Sequence, residues 1–353
     1  MALALAVLLS HLPPATFKFI SGGLAVQGFF VVSGFYMSLV LSGKYSDTGL
    51  FYTNRLLRLL PAYFAMMLIA GVALFVFDAS ATASRQMFAD VYSHPGTATF
   101  FTLENLGIIG QDLLYWFKID DGSVVFDATG APPSDELPAG WQALIVPQSW
   151  SLSLELMFYV IAPFLARLNW KWLAAICVAS IGLRMAGYWL PVDYGLWQGR
   201  FFPTVLFLFV LGMLAHRAMP LIERLPWWTG YPVNAALLGA IVLLPLSGID
   251  PETGRWAMYF AIAAATPFVF TTFKGFAWDR WIGDLSYPIY LSHLAVIGVV
   301  LTFNLPEPVW ITIGATLAIS IGLKLLVDQP VDRWRQRRAS RAPATRSVPA
   351  MAD

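Results

Sequence analysis

The chain has 353 residues, of which 58% are hydrophobic, 15% aromatic and only 12% charged, with 22 Lys and Arg against 21 Asp and Glu and a single cysteine. An ordinary soluble domain carries about 25% charged and about 45–50% apolar residues, so this composition leaves too little polar surface to cover a soluble particle and places the chain in a bilayer. A formal net charge of +1 offers nucleic acid no concentrated basic face, and the lone Cys177 permits neither an intrachain disulfide nor a cysteine metal cluster.

Apolar runs approaching the roughly 20 residues needed to cross about 30 Å of hydrocarbon, broken at charges or Pro/Gly clusters, lie near 1–12, 24–42, 56–77, 150–167, 172–190, 201–216, 233–247, 256–273, 285–303 and 309–327. They predict an all-α, polytopic integral membrane protein with about ten transmembrane helices. The first run is short because Pro13-Pro14 end it, and it has neither the basic start nor the small-residue cleavage site of a signal peptide. Threading the runs alternately puts sixteen of the 22 Lys and Arg on one side, among them Arg55, Arg58, Arg217 and Lys324, so the positive-inside rule makes both termini cytoplasmic. The segment 78–149 is then a long outer loop, the kind that carries function or structure of its own. Within it Thr97 to Phe117, interrupted by Glu104, Asn105, Gln111 and Asp112, reads as re-entrant or surface-lying. From Val331 to Asp353 the chain reads as a basic, disordered cytoplasmic tail near anionic headgroups.

An ionisable group near the bilayer centre costs at least about 2.5–3.5 kcal/mol on insertion scales, which makes each one a site candidate. His11 falls in the first run, Glu155 about one and a half turns below the outer end of the fourth, Arg184 in the fifth and His293 eight residues into the ninth. At 1.5 Å per residue, His293 lies about 12 Å from the cytoplasmic end. Taken singly, each has a plainer reading. A buried histidine is commonly a neutral strut between helices, Arg184 reads as a counter-ion for Glu155, and Arg55 and Arg58 read as topology anchors. His94 and His216 gain no role. Tyr287, Tyr290 and His293, spaced by three, form a polar stripe along one helix face. Together these residues suit group transfer from a phosphate-bearing cytoplasmic donor, since histidine moves protons near neutrality and arginine forks hold phosphates. They equally suit a proton-coupled transporter. No His/Asp/Glu set has metal-ligand spacing such as H-E-x-x-H, so no metal is expected.

Four strings in order separate these readings. They are His11 with GGLAVQGFFVVSGF from Gly22 to Phe35, then FYTNRLLRLLPAY from Phe51 to Tyr63, SWSLSLELMFY from Ser149 to Tyr159 with Pro163, and IGDLSYPIYLSH from Ile282 to His293. The set resembles the membrane-bound acyltransferase family 3, the group containing bacterial O-antigen and exopolysaccharide O-acetylases, over about residues 1 to 330. Gln27 stands where many members carry Asp, and Asp328-Gln329-Pro330 replaces a common Glu-x-Pro. The basic residue that precedes the family's first-span histidine would fall immediately upstream of Met1, which predicts a natural start beyond it.

The resemblance implies an O-acyltransferase that moves an acyl group, acetyl being expected, from cytoplasmic acyl-CoA to a hydroxyl of a cell-surface glycan, exopolysaccharide or lipid-linked saccharide. It implies a bacterial inner membrane. His11 would be the catalytic base or a transient acyl carrier, and Arg55 and Arg58 would hold or gate the donor. Glu155 would handle the acceptor, with Trp150, Ser151, Tyr287, Tyr290 and His293 as acceptor or helix-face candidates. Acyl-CoA is a co-substrate, and no permanently bound cofactor is implied. The competing expectations are an exporter of acylated saccharide with no chemistry of its own, which commonly shows repeated halves not found here, and an inactive truncated homologue.

Overall fold

The computed structural model describes residues 1–12, 19–43, 48–130, 132–134 and 137–341; Pro13-Pro14 and the last part of the expected tail, 342–353, lie outside the described residues. In chain order the helices begin with α1 (Ala2–Ser10), α2 (Gly22–Gly43) and α3 (Thr48–Phe77). In the outer segment follow α4 (Arg85–Tyr92), α5 (Pro95–Gly107), strand β1 (Phe117–Asp120) and strand β2 (Ser123–Phe126). Next come α6 (Trp150–Ala166), α7 (Trp170–Ala186), α8 (Tyr194–Arg200), α9 (Phe202–Arg217), α10 (Met219–Ile222) and α11 (Gly230–Leu243). The chain ends on α12 (Pro251–Phe273), α13 (Ala277–Asp284), α14 (Ser286–Thr302), α15 (Pro308–Leu323) and α16 (Gln329–Arg341).

Each of the expected apolar runs coincides with a helix, but the count of about ten spans is not reached by length. Among the described residues seven helices are long and apolar enough to cross a membrane, or eight when α8 and α9, bent by 44° at their junction, count as one. The shortfall is α1, with 9 residues, and α7, with 17. Asn169 caps α7 by accepting from the backbone of Lys171 and Trp172, and Asp193 caps α8 through Leu196 N. The segment expected as tail from Val331 starts as helix through Arg341, where Arg335 pairs with Asp332 at 2.7 Å and donates to the Asn54 carbonyl of α3 at 3.2 Å.

Helix α2 is the hub, packed on α1, α6, α9 and α12. Its crossing with α9 is backbone against backbone. A Cβ on Gly34 would lie 1.8 Å from the Phe209 carbonyl oxygen, and one on Gly212 would lie 1.9 Å from that of Val31. Lipid tails offer no hydrophobic drive for helix pairing, so such close small-residue contacts are what dispersion has to work with. Beside them Phe30 stacks on Phe209 at 4.8 Å, and Phe209 on Phe158 of α6 at 4.2 Å.

The outer segment is structured rather than a bare loop. Its hairpin pairs Phe117 with Phe126 and Asp120 with Ser123, turning at Asp121-Gly122 with both residues at positive φ, 43° and 71°; this is the two-residue turn that Asp-Gly favours. Asn105 of α5 donates to the carbonyls of Phe101 and Ala143 and accepts from Ile145 N at 2.9 Å. Tyr63 of α3 donates to the Asn105 carbonyl at 2.6 Å, which ties the segment to a membrane helix. The stretch read as re-entrant or surface-lying is therefore a helix followed by a short turn, pinned by its own polar residues.

Gly34→Val and Gly212→Val each force the α2–α9 crossing apart, because the clash is with backbone and no side chain can move aside. Both variants are expected to lose most of the folded protein, measured as monodisperse yield after detergent extraction. Gly314→Val, where a Cβ meets nothing within 4 Å, should be extracted at the wild-type level.

Candidate active site

The sequence-expected residues form a column along α14. His293, Tyr290 and Tyr287 of α14 continue to Asp284 at the end of α13, each three residues apart, so the column rises about 13–14 Å at 1.5 Å per residue. Helix α1 runs alongside the column, with Ala4 and Leu8 packed against Leu285 and Ile289. This alignment brings His11, the cap residue of α1, to His293 with ring centroids 5.0 Å apart and planes tilted by 55°. Gly22 admits the pair, since a Cβ there would meet Ser10 Oγ at 2.3 Å and His11 Cε1 at 3.5 Å.

Both rings are oriented by carbonyls. His11 Nδ1 lies 2.9 Å from the Val7 oxygen and His293 Nδ1 2.8 Å from the Tyr290 oxygen. A carbonyl only accepts, so each Nδ1 carries a proton, and in the neutral ring Nε2 keeps a lone pair. His11 is exposed, whereas His293 is buried and its Nε2 has no hydrogen-bond partner.

One turn along, Tyr290 donates to the Gln148 carbonyl at 2.7 Å and lies 2.7 Å from Ser151 Oγ. Gln148 in turn donates to the Leu291 carbonyl at 2.6 Å, so the start of α6 is sewn to α14. Trp150 is buried beside this junction, edge-on to Phe30. Below, Tyr287 donates to the Leu59 carbonyl of α3 at 2.8 Å. Glu155 accepts from Ser33 Oγ of α2 at 3.0 Å and from the Tyr159 hydroxyl, and acts electrostatically on Tyr287 and Tyr290. Ser33 precedes the glycine of the α2–α9 crossing, so that crossing sets the donor to Glu155.

At the lower end Asp284 pairs with Arg58 at 3.6 Å and Lys324 at 3.2 Å, in a cleft that Leu57, Tyr287 and Asp328 also line. Arg58 is thus not a free fork; it faces a carboxylate. Arg55, one turn earlier on α3, lies 6.0 Å from the Phe51 ring, and its Nε has no hydrogen-bond partner.

Arg184 is not the counter-ion of Glu155. Completely buried, it donates to the carbonyl of Gln198, to Gln198 Oε1 at 3.0 Å and to the Tyr259 hydroxyl at 3.1 Å. The rings of Phe207, Trp256 and Tyr259 surround its guanidinium carbon at 5.4, 5.4 and 5.6 Å. Aromatic faces compensate the charge where a carboxylate was expected. Gln27 joins this group by accepting from Tyr259.

Sequence reasoning assigned no role to Ser33, Tyr159 or Gln148, although the first two stand within the quoted strings and the third just before one. It also passed over Arg200 and Asp112, which no string marks. In the outer segment burial pushes the Asp112 carboxyl up to about 6, against a lowering hydrogen bond from Ser153, and burial followed by the nearby Asp112 pushes Glu104 up to about 7. Among the described residues no group of His, Cys, Asp and Glu could hold a metal ion.

The profile of acyltransferase family 3, described as an acyltransferase domain, matches residues 2–327. The chain belongs to this family. Members similar to it include the "Exopolysaccharide production protein ExoZ" of Rhizobium meliloti (strain 1021), 26% identical over 94% of this chain and 96% of that protein. "Nodulation protein 10" of Rhizobium leguminosarum bv. viciae is 24% identical over 90% of this chain and 83% of its own. "Putative O-acetyltransferase SACOL0978" of Staphylococcus aureus (strain COL) is 25% identical over 80% of this chain and 47% of its own length. No solved structure matches. The column thus lies within the matched acyltransferase region.

Because Arg184 and Glu155 have separate partners, their removal should not compensate. Arg184→Gln is expected to cost about 1–3 kcal/mol, the penalty for stranding buried partners. Adding Glu155→Gln should leave that loss unrelieved, read as the melting temperature of the purified single and double variants. A double variant that recovers wild-type stability would show that the charges do interact.

Proposed function

We propose that the protein transfers an acyl group, with acetyl the expected one, from acyl-CoA on the cytoplasmic side to a hydroxyl of a cell-surface or exopolysaccharide glycan or of a lipid-linked saccharide, as an O-acyltransferase of a bacterial inner membrane. The observation that best supports this reading is the polar column, which joins a cleft holding Arg58 and Lys324 to a histidine pair with available lone pairs. The exopolysaccharide and O-acetyltransferase names of the relatives support a glycan hydroxyl as acceptor.

In this reading the donor phosphates meet Arg58, which exchanges its 3.6 Å contact with Asp284 for a shorter, charge-assisted one, with Arg55 a turn away. The acceptor hydroxyl gives its proton to a histidine Nε2 as its oxygen attacks the thioester carbonyl carbon. A new C–O bond forms, the C–S bond breaks, and the leaving CoA thiolate takes the proton back from the imidazolium. The products are the ester and the free thiol, with no net proton change. Two imidazoles 5.0 Å apart cannot both be charged cheaply, so the pair handles one proton at a time. Glu155, held by Ser33 and Tyr159, handles the acceptor in this reading.

General acid–base catalysis contributes about 10²–10⁴-fold. His11→Ala and His293→Ala are each expected to lower O-acetylation at least 10²-fold at equal membrane abundance, measured as ester content of surface polysaccharide and as CoA thiol released by purified protein. Near wild-type turnover in either variant would reduce that histidine to a packing residue.

A further inference from the structure

The outer segment and the α8–α9 bend bring together a group that the proton chemistry leaves unused. Arg200 ends α8 at that bend. Its guanidinium carbon sits 3.4 Å from the ring centroid of Trp150 and 3.8 Å from that of Tyr115, and Tyr115 stacks on Trp141 at 5.3 Å with planes only 11° apart. The rings of Trp150 and Tyr115 stand edge to face, with centroids 6.4 Å apart and planes at 80°, so the guanidinium packs over both but lies parallel to at most one, and its rim is what remains for hydrogen bonding. Nη1 on that rim is buried and has no hydrogen-bond partner.

The charge lacks a close carboxylate as well. Among the described residues Arg200 forms no ion pair. The acid that acts on it, Asp112, accepts from Ser153 at 2.5 Å through Oδ1, and Asp112 Oδ2 is likewise buried without a partner. Arg200 as a residue is only partly buried, although its Nη1 is buried. Its neighbour Trp150 adjoins Ser151, which contacts Tyr290 one turn from His293.

We propose that the Trp150–Arg200–Tyr115 clamp is the acceptor subsite for an anionic group, a carboxylate or phosphate carried by the saccharide beside the hydroxyl that is acylated. This inference rests on the glycan-acceptor reading and gives that acceptor a charge. The planar fork matches either oxyanion with two parallel hydrogen bonds, whereas a neutral sugar would add no counter-charge to what the two rings supply. The carboxylate would belong to a uronic acid, the phosphate to a lipid diphosphate linkage.

The test uses full-length protein in detergent and two matched pairs of acceptors: an oligosaccharide ending in glucuronic acid with its carboxyl-reduced counterpart, and a neutral sugar on an isoprenyl diphosphate with the same sugar free. Binding is followed without acyl-CoA through tryptophan fluorescence, and transfer through CoA thiol release. Wild type is expected to bind the anionic member of one pair about 10- to 100-fold more tightly, the range for hydrogen bonds to a charged group, and that pair identifies the source. Arg200→Gln should erase this preference by raising KM for the anionic acceptor, with the neutral partner unchanged. Arg200→Lys, which keeps charge but not the fork, should recover only part of it. Equal binding within both pairs overturns the proposal, as does an Arg200→Gln variant that weakens anionic and neutral acceptors alike, the mark of a packing role. Selective binding with no transfer to any acceptor would sink the acyltransfer reading and leave the anion subsite standing.

Discussion

The backbone contact between α2 and α9 is the constraint on which the rest of the arrangement depends. Gly34 lies against the Phe209 carbonyl and Gly212 against that of Val31, so neither helix can rotate or slide without a clash. The residue before Gly34 is Ser33, whose hydroxyl meets Glu155 on α6, and Phe209 is sandwiched between Phe30 of α2 and Phe158 of α6. Three helices are thereby fixed in register by one close crossing, and the carboxylate at the middle of the column takes its position from it. The start of α2 works similarly for α1, where Gly22 leaves the space that Ser10 and His11 occupy.

Charge and polarity inside the membrane are handled in three ways. Arg184 is surrounded by rings and hydrogen-bonded to Gln198 and Tyr259, with Nε left unpartnered. Each of the two histidines ties Nδ1 to a carbonyl, and Nε2 of His293 is buried without a partner. Arg200 is stacked but keeps an unused edge. Unsatisfied buried polar atoms are costly and tend to persist where a ligand or reaction uses them. Open atoms occur at His293, Asp112 and Arg200, and also at Arg184 Nε; what distinguishes Arg184 is that its other nitrogens are committed to Gln198 and Tyr259.

Much of this was legible in the sequence because hydropathy and motif strings report different things. Apolar runs located the helices, since each span must satisfy its own backbone, and the three-residue spacing of Tyr287, Tyr290 and His293 disclosed the stripe. Boundaries were less legible: α3 starts at Thr48 rather than near 56, because Arg55 and Arg58 read as flanking charge although helix continues through them. The Arg184–Glu155 pairing was misread since opposite charges suggest each other, whereas the aromatic enclosure requires knowing which faces of α7, α9 and α12 meet. Arg200 and Asp112 were not marked for the same reason, as they sit far apart in sequence and come into one region only when the outer segment folds onto α6 and α8. The hairpin turn was written in Asp121-Gly122, a short signal obscured by the length of the segment around it.

In the proposed reaction the acyl group crosses the bilayer, with donor and acceptor reaching one histidine pair from opposite sides of the membrane. Sealed proteoliposomes holding the glycan acceptor inside and given acetyl-CoA only outside test it directly. O-acetylated glycan in the lumen, with free CoA accumulating outside, is the expected result. Product that forms only when both substrates share one compartment would contradict it.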